Sequence, residues 1–430
     1  MSDDDFDPIT ELQVALGTSY ADDLSVAAKN VILQYGHAFA HKYGLDSVQN
    51  VLKTINGLYN WIPTDDFTAT EVLNKLCAFY LFFDTAPLAA LQNPITPDSY
   101  PPPTPLSLWI INYAKGMGTN LSKPSSLTPH SLQTFIQCPS YHMADYFPGG
   151  IIPHLPLTTT LGWNNFNDFF SRAMPDIDIV RPIASPEDDT IVVSPADFTF
   201  GGQWPIGSDG TVILDTPAAC PSPATRQKIL RPVRGPGVAV TKGIPWSISE
   251  LLGPAGPVYT SQFANGTFIH GFLSPHDYHR QHAPVSGEVV FAARFDGLCY
   301  MQVDIVKDSD GLGKSIVMNR YLDAPDTPGY QFLQARGLIL IDNPTLGLVA
   351  MLPIGMAQVS SVEFTKWGSE GIPLGGTNPP TYVTKGEEVS KFLFGGSDCI
   401  MCFGPKAKMV FNAYSGDWLR VNSQIGFSKK

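Results

Sequence analysis

Four of the nine histidines fall between His270 and His282. Three of them, His276, His279 and His282, recur every third residue around Asp277-Tyr278-His279-Arg280-Gln281-His282-Ala283-Pro284. Zinc sites use such spacings, but no cysteine or further acidic ligand stands nearby to close one. Acid–base chemistry is the second reading, because histidine titrates near neutral pH without special help. A polar loop is the third. The next cluster is Phe394-Gly395-Gly396-Ser397-Asp398. It reads as a turn, or as a serine whose hydroxyl attacks the carbonyl of Gly396. Two glycines let the chain bend enough for that approach, and an oxyanion donor would have to hold the result. The third cluster is Ser194-Pro195-Ala196-Asp197. Its aspartate is a turn residue or, if buried, a partner that orients a histidine and stabilises its cation.

The surrounding elements must bring these clusters together. Val48, Val51, Leu52, Ile55 and Leu58 recur at helical spacing after Asp46-Ser47, a predicted cap. Thr68 with Glu71 forms a predicted capping box ahead of Val72, Leu73, Leu76, Phe79 and Tyr80. A proline-rich break spans Pro94 to Pro105, and helix is expected again over 106–116 and 163–172. Beyond Trp163 the text turns β-rich. Runs over 190–200, 287–295, 299–306 and 347–364 are heavy in Val, Ile, Phe and Thr, with Gly and Pro clusters between them. The expected fold class is α+β: a helical N-terminal domain over 1–160, then a β-rich, barrel- or sandwich-like domain over 161–430.

Composition narrows the function. Lys plus Arg is 27 against 39 Asp plus Glu, a net charge of −12. No basic footprint for nucleic acid is present, and an anionic membrane surface would repel the chain. Met1 to Asp7 has neither the basic start nor the apolar run of a secretory leader, and Asp84 and Pro87 interrupt the apolar stretch from Leu76 to Leu91. The six cysteines are scattered, as in a reducing compartment. A cytoplasmic protein without a membrane partner is expected. Cys399-Ile400-Met401-Cys402 has redox spacing but sits on a predicted strand, where residues i and i+3 face opposite ways, so packed thiols are expected. His37 and His41 share a helix face without an acid in the adjoining text, and read as solvated or core.

None of the clusters is specific alone, but their order is. Asp197, then His279 with His282, then Gly396-Ser397 resembles the phosphatidylserine decarboxylase family of pyruvoyl enzymes. Further likeness lies in Asn167-Asp168-Phe169-Phe170-Ser171-Arg172, in Arg181-Pro182-Ile183, in Lys242-Gly243 to Leu251-Leu252-Gly253, and in Lys385-Gly386-Glu387. The resemblance covers roughly 163–425. It implies that Ser397 attacks the Gly396 carbonyl to give an ester, and that elimination and hydrolysis leave a pyruvoyl group at residue 397. Asp197 and His282 would activate Ser397. His279 would serve decarboxylation as proton donor. The substrate amine would form a Schiff base with the pyruvoyl carbonyl, with no external cofactor and no metal. The two chains would stay associated, with a homodimer of such units expected. The sequence departs from the family pattern at Phe198, at Glu388-Val389-Ser390, and at Asp398, which replaces a usual Thr or Ser. A carboxylate there is expected to slow cleavage by repelling the oxyanion.

Within that resemblance, the acidic chain and the helical extension favour a free amino acid over a lipid. Leu76-Cys77-Ala78-Phe79-Tyr80 to Pro94 is similar to the extension of fungal relatives acting on free aromatic amino acids such as tryptophan. The expected activity is decarboxylation of tryptophan, tyrosine or phenylalanine. Phosphatidylserine, or an uncleaved and non-catalytic relative, stands as the alternative. Phe198, Trp204, Trp246, Tyr278 and Phe394 could line the side-chain pocket or belong to the core.

Overall fold

The computed structural model describes residues 6–97, 102–214, 244–301, 303–307, 314–318, 329–356 and 362–429. Cys220 and Lys242-Gly243 lie outside them. The longer helices are α1 (Pro8–Leu16), α2 (Tyr20–Tyr35), α3 (Val48–Tyr59), α4 (Glu71–Phe83), α5 (Pro105–Leu121) and α6 (Pro129–Gln137), with the short α7 (Phe166–Phe170) after them. Ser47 caps α3 as its spacing predicts, accepting from the Asn50 amide at 3.3 Å. The capping box predicted at Thr68 does not form. Asp66 takes the Thr68 hydroxyl at 2.6 Å, and Asp65 accepts from the Glu71 amide at 2.9 Å. A carboxylate is the stronger acceptor and displaces the hydroxyl from the cap role. From Leu76 to Phe83, α4 is buried all round, so this apolar stretch is a core helix. No described helix is long and apolar enough to cross a membrane.

The strands that matter for the site are β1 (Phe198–Pro205), β2 (Thr267–Leu273), β3 (Arg280–His282), β4 (Gly287–Phe295), β5 (Ala335–Asn343), β6 (Gly347–Met356), β7 (Val362–Phe364), β8 (Tyr382–Val383), β9 (Glu388–Phe392), β10 (Gly396–Phe403) and β11 (Trp418–Leu419). Eight of them form one antiparallel sheet in the order β8-β4-β5-β6-β10-β2-β1-β11. The α+β class holds, but the sheet is open and not a closed barrel. Its two edge strands are two residues long and lie at opposite ends of the order, too short to pair with each other. A smaller sheet, β7-β9-β3, carries the histidine strand. Helical and β-rich parts share one contiguous apolar core. At their junction Trp61 meets Phe394 edge-on at 6.2 Å, and the Tyr80 hydroxyl lies 3.1 Å from Cys299 Sγ.

Strand β10 is central. Ser397 stands opposite Gly355 on β6 and Leu273 on β2. Alternation along the strand then puts Ser397 and Cys399 on one face of the sheet, and Asp398 and Ile400 on the other.

Candidate active site

Ser397 follows Gly395, whose φ of 153° lies in a region that glycine alone adopts readily. The serine is fully buried, and its Oγ has no hydrogen-bond partner among the described residues. A buried hydroxyl without a partner is costly, so the exception calls for a reason. A nucleophile waiting for its own backbone supplies one. The loop before it is pinned from the helical side: Asn167 Oδ1 accepts from the Phe394 amide at 3.0 Å, while its Nδ2 donates to Gly118 O and Ser122 Oγ. These residues fit a pyruvoyl precursor.

The two motif histidines are both buried and held in different ways. His282 Nδ1 donates to the Gly386 carbonyl at 2.7 Å, and its Nε2 lies 3.1 Å from the Tyr278 hydroxyl. Since Nδ1 must carry the proton to meet a carbonyl, Nε2 is the acceptor and Tyr278 the donor. Gly386 presents that carbonyl from a φ of 81°, and Lys385 anchors the turn through the carbonyls of Ser185 and Asp188. His279 Nδ1 donates to Asp277 O at 2.9 Å, which leaves Nε2 bare, buried and without a partner. Burial pushes the His279 pKa well below the ordinary histidine range, with the Arg172 charge adding to it and the Asp277 hydrogen bond opposing. Burial also lowers that of His282, against the pull of Gly386.

The structure ties His279 to the segment that leads into Ser397. Its ring packs against Phe170 with centroids 3.9 Å apart and planes tilted by 31°, and Phe170 packs edge-on against Phe394. Its carbonyl accepts from the Phe392 amide at 2.9 Å. Asp197 arrives at the same end of the sheet, since β1 pairs with β2 and the His282 amide donates to Pro195 O. Among the described residues, however, its carboxylate bonds to Arg181 and not to a histidine. Arg181 Nη2 and Nε reach its two oxygens at 3.0 and 3.3 Å, and the Val421 amide adds a bond at 2.7 Å. His276 stays near this group, on the loop that Arg172 clamps.

Arg181 and Asp197 are both nearly inaccessible to solvent. Removing one partner strands the other charge in the core. Arg181→Ala is therefore expected to cost about 3–5 kcal/mol of folding stability, read as a lowered urea midpoint. Arg181→Lys should restore part of it, because one charge returns without the bidentate fork.

Arg172 was legible only as a motif letter, yet it organises the site. It is buried at 1% exposure, and its Nη2 donates to His276 O at 2.9 Å. The guanidinium stacks over Tyr146 at 4.4 Å and Tyr141 at 5.5 Å, both from the helical part. It thus braces the loop whose Asp277 carbonyl orients His279. The clue in the sequence was an arginine two residues after an apolar Phe-Phe pair in a chain with few charges.

The remaining candidates do not join this site. Cys399 and Cys402 are buried free thiols, raised by burial out of the reactive range. His41 Nδ1 pairs with Asp46 at 2.8 Å on the surface, beside His37. Asp46 is the acid that the adjoining text did not show. No group of three metal-type ligands occurs among the described residues. Trp204, Trp246, Phe198 and Phe394 are all core residues. A cleft of about 340 Å³, lined by Pro139, Ser140, His142, His276, Asp277 and Trp418, opens beside the loop that leads to His279.

Comparison with known proteins places the chain in a family. The phosphatidylserine decarboxylase family model matches residues 166–427. The chain is 27% identical to Decarboxylase iboD of Amanita muscaria, over 62% of this chain and 67% of that one. It is 29% identical to an L-tryptophan decarboxylase of Psilocybe cubensis, over 55% of this chain but only 45% of that relative. It is 26% identical to a phosphatidylserine decarboxylase proenzyme of Hamiltonella defensa, over 61% of this chain and 78% of that one. With the family model covering more than half of its length, the chain belongs to the phosphatidylserine decarboxylase family.

Proposed function

We propose that this chain is a pyruvoyl-dependent carboxy-lyase that removes CO2 from a free, aromatic amino acid. The observation that carries the reading is Ser397: a buried hydroxyl without a partner, directly after two glycines, on the central strand of the sheet. In cleavage its Oγ bonds to the Gly396 carbonyl carbon, the Gly396–Ser397 C–N bond breaks and the hydroxyl proton passes to the freed nitrogen, giving an ester; elimination of the Gly396 carboxylate breaks the chain, and water then displaces the nitrogen as ammonia to leave the ketone. Asp197 and His282 stand at this end of the sheet as the activating partners carried over from the family. Reaching Ser397 requires His282 Nε2 to release Tyr278. A pyruvoyl group at residue 397 would supply a carbonyl for the substrate amine and an electron sink for the loss of CO2.

With the proton on Nδ1, His279 Nε2 first takes a proton, which the incoming substrate ammonium supplies, and then gives it to the carbon that lost CO2. Among the described residues, the bare Nε2 of His279 is the one nitrogen of the two motif rings without a hydrogen bond. Phe170, Phe394 and Phe166 surround this region and exclude water, which would otherwise protonate the carbanion at random. The tail after the cut would stay in place, because β10 is hydrogen-bonded along its length to both β6 and β2. On this reading the cut falls between residues 396 and 397 of a catalytic domain over 161–430.

The substrate class rests on two supports. The relatives include proteins named for tryptophan, and the net charge of −12 opposes an anionic lipid surface. Labelled CO2 release from tryptophan, tyrosine, phenylalanine and phosphatidylserine vesicles tests it. Release from at least one aromatic amino acid, tenfold or more above that from the lipid, is expected. Release from the lipid alone would overturn the substrate assignment and leave the decarboxylase reading standing.

A further inference from the structure

A cleft of about 780 Å³ opens in the helical part, between the short helix His37–Lys42, α3 and α4. The family model begins at residue 166, so none of the cleft's lining belongs to the matched region. A cleft of that volume takes a small organic molecule. Trp61, half-buried, forms its apolar wall with Leu58 and Ala78. Lys42 and Lys53 stand exposed at its rim, and Lys75 lies over the Trp61 ring at 5.4 Å. Two acids also line the cleft, but both are taken. Asp66 accepts from the hydroxyls and amides of Thr68 and Thr70. Glu71 takes the Thr64 hydroxyl at 3.2 Å and pairs with Lys75 at 3.5 Å. Asp46, beside the rim, accepts from Asn50 at 2.7 Å and meets His41 at 2.8 Å. Lys42 rests over the Tyr43 ring at 5.1 Å and, like Lys53, has no acidic partner among the described residues.

In a chain of net charge −12, two ammonium groups without acids beside a half-buried indole are a local exception. Their relation is fixed, since the Thr54 hydroxyl donates to Gly44 O at 3.3 Å and ties the turn after Lys42 to the helix that carries Lys53. We propose that this cleft binds an aryl carboxylate, with the carboxylate held by Lys42 and Lys53 and the ring laid against Trp61. An anion without a ring would leave the apolar wall wet, and an uncharged arene would leave both lysines without a counter-charge. Both parts of the ligand are therefore specified. The aromatic amino acids of the proposed function carry both parts, and so does an aryl acid without an amine. A ligand in the cleft would lie one ring away from the segment that leads into Ser397, because Trp61 meets Phe394 edge-on at 6.2 Å.

Calorimetric titration of the full-length chain with indole-3-propionate tests the site. This probe is an anion at neutral pH and has no amine, so it cannot condense with a ketone at residue 397. Saturable binding to the wild type is expected, and the double variant Lys42→Gln, Lys53→Gln should weaken it about fivefold or more. Both lysines are exposed, so the variant should fold, and an unchanged urea midpoint checks that. The pair Lys42→Arg, Lys53→Arg keeps both charges and should keep most of the affinity. Absence of saturable binding, affinity unchanged in the glutamine pair, or an arginine pair that loses as much as the glutamine pair would each overturn the assignment. L-tryptophan titrated into Ser397→Ala, which can form no ketone, tells the two sources apart. Binding that depends on the two lysines names the amino acid itself as ligand, and its absence names an aryl carboxylate without an amine. A wild-type chain that never cleaves removes the proposed function and leaves this site standing, since no residue of the cleft takes part in that reaction.

Discussion

Ser397→Ala is expected to leave a single chain of 46.7 kDa, while the wild type yields 1–396 and a blocked fragment of 397–430. The alanine lacks the oxygen that must bond to Gly396, and no neighbouring hydroxyl on β10 can replace it, since the next residues are Asp398 and Cys399. Decarboxylation should fall to the uncatalysed background, because the electron sink is never made. Intact mass spectrometry with a CO2 assay reads both effects. The variant should fold as well as the wild type, since it removes a buried hydroxyl without a partner and leaves only a methyl in the same space. An intact wild-type chain, or a cleaved Ser397→Ala chain, would sink the pyruvoyl reading.

His279→Ala should show the opposite split, with cleavage kept and turnover reduced by about 10²–10⁴-fold, the usual range for a positioned proton-transfer group. The reason is the tautomer. Asp277 holds the Nδ1 proton, so Nε2 is the working atom, and it is not engaged with Ser397 in the uncleaved chain. Turnover that survives while cleavage is lost would exchange the roles of His279 and His282. A pH effect follows from the same burial. Both rings have pKa values below the ordinary 6.5, so between those values and 6.5 the unfolded chain binds more protons than the folded one. Their contribution to stability is complete above pH 6.5 and is lost as pH falls through the folded values. The urea midpoint should therefore drop on acidification from pH 7 to 5.5, and by less in His279→Ala.

The local elements were largely legible. Ser47 caps α3, the helix expected over 106–116 lies within α5 and the run from Gly287 to Phe295 is β4, because capping and alternation depend only on near neighbours. The Thr68 cap failed because two adjacent aspartates compete for the same amides and hydroxyls, and their rank depends on how the turn closes. Strand content alone does not say whether a sheet closes, so the barrel- or sandwich-like expectation left that to the structure, where the sheet is open.

The sequence by itself determined the order and types of the reactive groups: Asp197, His279, His282 and then Gly396-Ser397, each carried by a local motif. It also determined the helical start, the β-rich remainder and the acidic balance. Only the tertiary structure decided which partner each group takes. Asp197 pairs with Arg181, His282 is shared by Gly386 and Tyr278, His279 alone keeps a bare nitrogen, and Asp398 meets His270. Every one of these facts depends on which strands become neighbours, in what register, and which loops pack over their ends. Register and burial are set by packing across the whole core, and burial then sets protonation, so residues far apart in the chain acquire their chemistry only when the sheet assembles.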